Sequence, residues 1–325
     1  MTIARRLAFA AALALPLGAA PALAQTQLTI QHPLPLNSHY GAGASAIKEA
    51  FERATNNRFR VNIQRNDNER EAIESAQIGT IECYLGSNGP VGNFVPEARN
   101  LDVPFLFRDT AHARGVLDGA IGQELLARFP SRGLVGVVWM ENGFRHLTNS
   151  RREVNQPADI RGLKVRTMEN PVHMRAFNAL GALPTPMAFS ELVPALQQGT
   201  VDGQENPIPV IVANNLNQVQ RFLTLTGHVY SPGILICNPG FINRLNAADR
   251  AAFQAAAVAG RDANRARVTA DDQSGIDELR RRGMTVTTSV DNAAFQQALA
   301  PQAAQIEQQL DAALLRRIRE WQPGS

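Results

Sequence analysis

Cysteine is nearly absent: Cys83 and Cys237 are the only two in 325 residues, each inside an apolar run that reads as a strand. A chain this long does not need a bridge to hold its core, so two buried free thiols are expected, although an oxidising compartment would permit a disulfide. Lysine is equally rare, Lys48 and Lys164 being the only two, so nearly every positive charge is an arginine. Charge of one sign is also lacking. The formal net charge is +3, and it falls to about +1 without Arg5 and Arg6. That balance excludes the strong basic excess of a nucleic-acid-binding surface. Beyond the first two dozen residues no run approaches the roughly 18 apolar residues of a spanning helix. Repeats of 20–50 residues and low-complexity linkers are missing too.

The motifs of several enzyme classes are missing as well. There is no phosphate-binding P-loop, no G-x-S-x-G elbow, no zinc-spaced histidine pair and no acidic calcium loop. His32 and His39 flank a loop too irregular to predict metal geometry. Asp67, Glu69, Glu71 and Glu74 lie on a helical stretch and read as a solvated face. No cofactor and no metal are expected. A secreted enzyme acting on a small carboxylic acid is the alternative, because an acid/base pair leaves no local signature.

What is present begins with export. Arg5 and Arg6 form a positive n-region, Leu7 to Leu17 an apolar h-region, and Ala22-Leu23-Ala24 a small-x-small cleavage site before Gln25. Residues 1–24 therefore read as a secretory signal peptide cleaved after Ala24, which places the mature chain outside the cytoplasm. The remaining chain of about 300 residues suits two medium domains.

Strands and helices then alternate. Strands are expected at Leu28–His32, Phe59–Ile63 and Ile81–Leu85, with helices at Gly41–Arg53 and Arg70–Ile78, the latter closed by Gly79. Such a β-α-β-α-β run predicts a parallel sheet with helices on both faces. The pattern restarts with strands at Leu134–Met140 and Gly162–Arg166, helices at Val172–Leu180 and Leu192–Gln198, and strands near Val201 and at Gly233–Cys237. A long proline-free helical stretch runs from Ala247 to Arg282. Ile306, Leu310, Leu314, Ile318 and Trp321 recur at helical spacing and form a stripe that packs on a core. Two α/β lobes with a cleft between them fit this order, with the crossings near Phe144 and Ser231. Open α/β sheets bind ligands beyond the carboxyl ends of their strands.

The segment from Glu141 to Pro207 carries the strongest chemistry. Arg145 follows an apolar strand, and Arg166 ends another, just before the Asn170-Pro171 N-cap and first turn of a helix. A guanidinium there can grip both oxygens of a carboxylate, while the helix end adds free N–H groups. Asn206 can donate and accept, which suits a ligand with carboxylate and hydroxyl groups.

The strings Pro184-Thr185-Pro186-Met187-Ala188-Phe189-Ser190-Glu191 and Val201-Asp202-Gly203-Gln204-Glu205-Asn206-Pro207 closely resemble the solute-binding proteins of tripartite ATP-independent periplasmic (TRAP) transporters, of the dicarboxylate-binding (DctP) type. The resemblance runs from Leu28 to about Leu245 and includes Pro104 to Asp109 and Thr226-Gly227-His228. It implies a two-lobed α/β periplasmic binding-protein fold with the cleft between the lobes and a long helix spanning both. Lobe one would hold residues 25–144 plus 232–271, and lobe two 145–231 plus 272–325. It further implies a monomeric, non-enzymatic protein of the periplasm that captures a small organic acid, either a hydroxylated carboxylate such as a sugar acid or a C4-dicarboxylate. A sodium-driven permease of one large and one small membrane subunit would receive that acid. By position, Arg166 resembles the principal carboxylate-binding arginine, Arg145 the second, Asn206 the asparagine that completes the site, and Phe189 its aromatic wall. Glu169, Asn88, Ser87, His39, Asn37, Tyr230 and His228 are further ligand-binding candidates. The chain departs from the family pattern at Gln64 to Asn68, where relatives carry a Pro- and Gly-containing turn.

Overall fold

The computed structural model describes residues 25–324, so the expected signal segment lies outside the described residues. Among them are nine strands: β1 (Thr26–His32), β2 (Phe59–Arg65), β3 (Cys83–Ser87), β4 (Val135–Asn149), β5 (Lys164–Thr167), β6 (Leu183–Pro186), β7 (Gly203–Pro207), β8 (Phe222–Cys237) and β9 (Thr285–Thr287). They form one sheet in the order β2-β1-β3-β8-β4-β7-β5-β6, with β9 added on β8. The sheet is mixed, not parallel throughout. β1 pairs β2 and β3 in parallel, and β5 does the same with β6 and β7, but β8 runs antiparallel to β3 and β4, and β4 antiparallel to β7. Local alternation of strand and helix identifies the parallel units at each end. It cannot reveal two long strands running through the middle, because their pairing is non-local.

Those two strands hold the lobes together. The expected strands at 134–140 and 233–237 are one half each of β4 and β8, which continue into the other lobe. Their register slips between Glu141 and Gly143, where Gly143 pairs with Ser231 and takes φ +115°. Only glycine adopts that backbone without strain, so the slip marks the crossing between lobes.

Each half buries its own core. In lobe one, Leu28, Ile30, Ile47 and Phe51 pack with Phe253 and Ala257 of the long helix Ala247–Arg281. In lobe two, Leu192, Leu196, Ile211 and Leu223 pack with Leu279 of the same helix. That helix therefore spans both lobes, as the resemblance implied. Gly260 brings it against the helix His39–Ala54: a Cβ there would lie 2.4 Å from Ile47 Cγ1 and 2.9 Å from the Gly43 carbonyl oxygen.

The C-terminal segment adds two helices to this plan. The C-terminal stripe is split between helices Asn292–Glu307 and Ala312–Glu320. The second of these seats Leu314, Leu315 and Ile318 in a lobe-one core with Val116, Leu117 and Leu125, whereas Phe295 and Leu299 of the first pack with Val165 and Phe177 of lobe two. After residue 311 the chain thus packs on the core that also holds Trp139 and Ile234.

The cysteines form a disulfide, contrary to the expected thiols. Cys83 and Cys237 stand directly opposite each other on β3 and β8, with Cα atoms 4.0 Å apart. Two apolar strands 154 residues apart in sequence look like separate core elements; only their antiparallel register brings the sulfurs together. Closing so long a loop restricts the unfolded chain, and removing such a bridge costs about 2–4 kcal/mol. A Cys83→Ser/Cys237→Ser variant is expected to lose that much in chemical denaturation. Alkylation of the parent without reductant, under denaturing conditions, should add no label; two labels per chain would show free thiols.

Candidate ligand-binding site

Where the lobes meet, the end of β1, the starts of the first two helices and the ends of β3 and β5 border a small pocket that is half open to solvent. Arg166 is the basic group of its lining. β5 is an interior strand, with Arg166 opposite Thr185 of β6 and Gln204 of β7 near its C-terminal end. It is buried, and its Nε and Nη2 donate to the Met187 carbonyl oxygen at 3.1 and 2.7 Å. Its carbon Cζ lies 5.8 Å from the centre of the Phe189 ring. Nη1 is buried without a hydrogen-bond partner. Each η nitrogen carries two hydrogens, so Nη1 and the second hydrogen of Nη2 still present a fork. Burial pushes this guanidinium down to about 10, which leaves it charged at neutral pH. An isolated buried cation is costly unless an anion or more acceptors reach it.

The helix end plays a different part from the one expected. Asn170 does cap the helix Pro171–Ala179, its Oδ1 accepting from the N–H groups of Val172 and His173. Those donors are therefore occupied. Asn170 Nδ2 reaches across to lobe one instead, donating to Asp102 Oδ2 at 2.7 Å and to the Gly89 carbonyl oxygen at 3.2 Å.

Arg145 stands one layer behind the lining. On β4, fully buried, it forms a fork with Glu205 of β7: Nε pairs with Oε2, and Nη2 with Oε1 at 2.8 Å. Nη2 also reaches Asn206 Oδ1 at 3.2 Å, and Asn206 itself lines the cavity. His228 completes this layer, with Nε2 3.2 Å from Glu205 Oε2 and Nδ1 2.7 Å from Thr226 Oγ1. Burial opposes charge on Glu205, but Arg145, His173 and His228 hold its carboxyl well below the usual range. Arg145 thus touches the lining residue Asn206 without lining the cavity itself.

Of the sequence candidates, Arg166, Asn206, Phe189 and Ser87 line the cavity. Glu169 lines, with Arg70 and Ala188, an adjoining pocket that shares Glu69, Arg166, Met168 and Phe189 with the first. Asn88 is tied into lobe one, its Nδ2 donating to Asp102 Oδ1 and the Ala98 carbonyl oxygen. His39 is a second-row residue, its Nε2 3.1 Å from Asn142 Oδ1; burial drives its pKa down to about 3, so it is neutral. Tyr230 packs edge-on against Phe107 and Phe144 behind the cleft, and Asn37 is exposed on the loop after β1. No cluster of histidine, cysteine or acidic residues among the described residues has metal-binding geometry.

Sequence reasoning missed Tyr40, Asn142, Met168 and above all Glu69. Glu71 and Glu74 are exposed, as the solvated-face reading expects, but Glu69 is 7% exposed. It is the first residue of the helix Glu69–Ile78, capped by Asn68. The departure from the family pattern at 64–68 lies immediately before it. There the Asp67 carbonyl oxygen accepts from Ser190 N–H of lobe two. An acid that turns inward from a helix start leaves a signal only in its neighbours' register, Tyr84 and Ser87, which is not visible in local spacing.

The family model described as bacterial extracellular solute-binding protein, family 7 (DctP), matches residues 30–309. A solute-binding protein of Verminephrobacter eiseniae is 52% identical over 93% of this chain and 91% of its own length. The 2,3-diketo-L-gulonate-binding periplasmic protein of Escherichia coli is 39% identical over 72% of each. Among solved structures, a TRAP periplasmic solute-binding protein from Polaromonas sp. JS666, bound to D-erythronate, superposes with a TM-score of 0.89 at 49% identity, covering 91% of this chain and 99% of that one.

Proposed function

We propose a role that follows from family membership: the chain belongs to family 7 of the bacterial extracellular solute-binding proteins, the DctP-type binding proteins of TRAP transporters. It captures a small organic acid in the periplasm and delivers it, unchanged, to a TRAP membrane permease. The acid is a hydroxylated carboxylate such as a sugar acid, or a C4-dicarboxylate. One observation carries this reading: a buried guanidinium, Arg166, lines the inter-lobe pocket with an Nη1 that no protein group satisfies. A carboxylate fits that fork, with the Phe189 ring beside it and Asn206 offering a donor and an acceptor. The ligands of two relatives, D-erythronate and 2,3-diketo-L-gulonate, are carboxylic acids of suitable size.

A thermal-shift screen over dicarboxylates, hydroxy acids and sugar acids tests it. At least one acid is expected to raise the melting temperature, because a ligand bound only by the folded chain stabilises it by mass action. Mass spectrometry should recover that acid intact. Turnover of the acid, or no shift with any of them, would contradict the proposal.

A further inference from the structure

The acidic group in the cavity bears on which acid is taken, given that Arg166 binds a carboxylate as proposed above. Glu69 lines the same space as Arg166. Both protein hydrogen bonds to its carboxyl fall on one oxygen: Oε1 accepts from Tyr84 O–H at 2.6 Å and from Ser87 N–H at 3.2 Å. Oε2 receives neither. We propose that Glu69 determines specificity, accepting a hydroxyl of the ligand on Oε2 while Arg166 holds its carboxylate, so that the chain selects hydroxylated monocarboxylic acids over dicarboxylates.

The reason lies in what a carboxylate can and cannot meet. An ionised Glu69 only accepts hydrogen bonds, so it needs a donor. A ligand hydroxyl is one, whereas a second ligand carboxylate is another acceptor of the same charge. Two carboxylates in one desolvated site cannot both stay ionised without a large penalty. Burial already raises the Glu69 pKa, against the opposing pull of Tyr84, Ser87, Arg166 and Arg145, so the site has little room for more negative charge. A ligand ammonium would also donate, but Arg166 and Arg145 both act on Glu69 electrostatically and would repel it. A neutral hydroxyl is the donor that meets neither objection.

Calorimetry on the parent and Glu69→Gln tests this with length-matched pairs: erythronate against succinate at four carbons, gluconate against adipate at six. Glutamine keeps the Oε1 acceptor for Tyr84 and Ser87 and removes the charge. The parent is expected to prefer the hydroxy acid of the better-fitting pair by about a hundredfold, since like charges brought together in a buried site cost several kcal/mol. In Glu69→Gln that preference should shrink at least about tenfold, chiefly by a gain in dicarboxylate affinity. A parent that binds the dicarboxylate as tightly, or a variant with unchanged preference, would overturn the role of Glu69 and leave carboxylate binding standing. If the parent binds none of the four acids, the carboxylate reading falls and this inference with it.

Discussion

Glu205→Ala is expected to lower the stability of the protein by about 3–5 kcal/mol, the cost of breaking a buried ion pair by deleting one partner. Arg145 and Glu205 are both fully buried side chains, and their fork joins the adjacent strands β4 and β7. Removing the carboxylate strands the guanidinium, whose Nη1 already lacks a partner. His228 would lose its Nε2 contact as well. Deleting both charges should hurt less than deleting one. An Arg145→Met/Glu205→Leu double variant is expected to recover part of the loss, since well-packed apolar residues often replace a buried pair at little cost. Denaturation curves on the parent, the single and the double variant decide it. A single variant within about 1 kcal/mol of the parent would show that the pair is not desolvated as described.

Arg166→Ala carries the other large effect, on binding instead of folding. Inside a closed cleft the ligand carboxylate leaves water and depends on its partner. Truncating one member of such a hydrogen-bonded charge pair costs about 2–5 kcal/mol, much of it from the charge left unpaired. At about 1.4 kcal/mol per tenfold, affinity should fall by roughly thirty- to several-thousand-fold. Arg166→Lys keeps a point charge but loses the planar fork, so it should remain clearly impaired. Arg151 and Arg152 provide the comparison. Both are exposed; Arg151 pairs with Asp202, and Arg152 donates to the Asp159 and Arg161 carbonyl oxygens, away from the cavity. Their alanine variants should bind within about threefold of the parent.

What the sequence reveals and conceals divides along the range of the interactions. The parallel units at either end of the sheet follow from local alternation: β1 and β2 appear within two residues of their expected bounds, and Gly79 ends its helix in the left-handed conformation that glycine favours. The continuous β4 and β8, the disulfide between β3 and β8, and the return of 312–320 to lobe one all depend on contacts more than 70 residues apart in sequence, and no periodicity encodes them. The same division holds in the candidate site. Arg166 is legible because a strand end, an N-cap and a proline surround it in one stretch. Arg145 is legible as a residue but not as a layer, because its fork to Glu205 arises from register. Glu69 is concealed by its exposed neighbours Glu71 and Glu74, one face of a helix masking a residue at its start.

Binding of a small carboxylate to Arg166 in the inter-lobe cleft is the step on which the proposed function depends. Isothermal calorimetry of the parent and folded Arg166→Ala with the best acid from the screen tests it most directly. One acid per chain is expected for the parent, and a loss of at least about thirtyfold in the variant, some 2 kcal/mol. An Arg166→Ala protein that binds the acid within about threefold of the parent, a change of under about 1 kcal/mol, would contradict it.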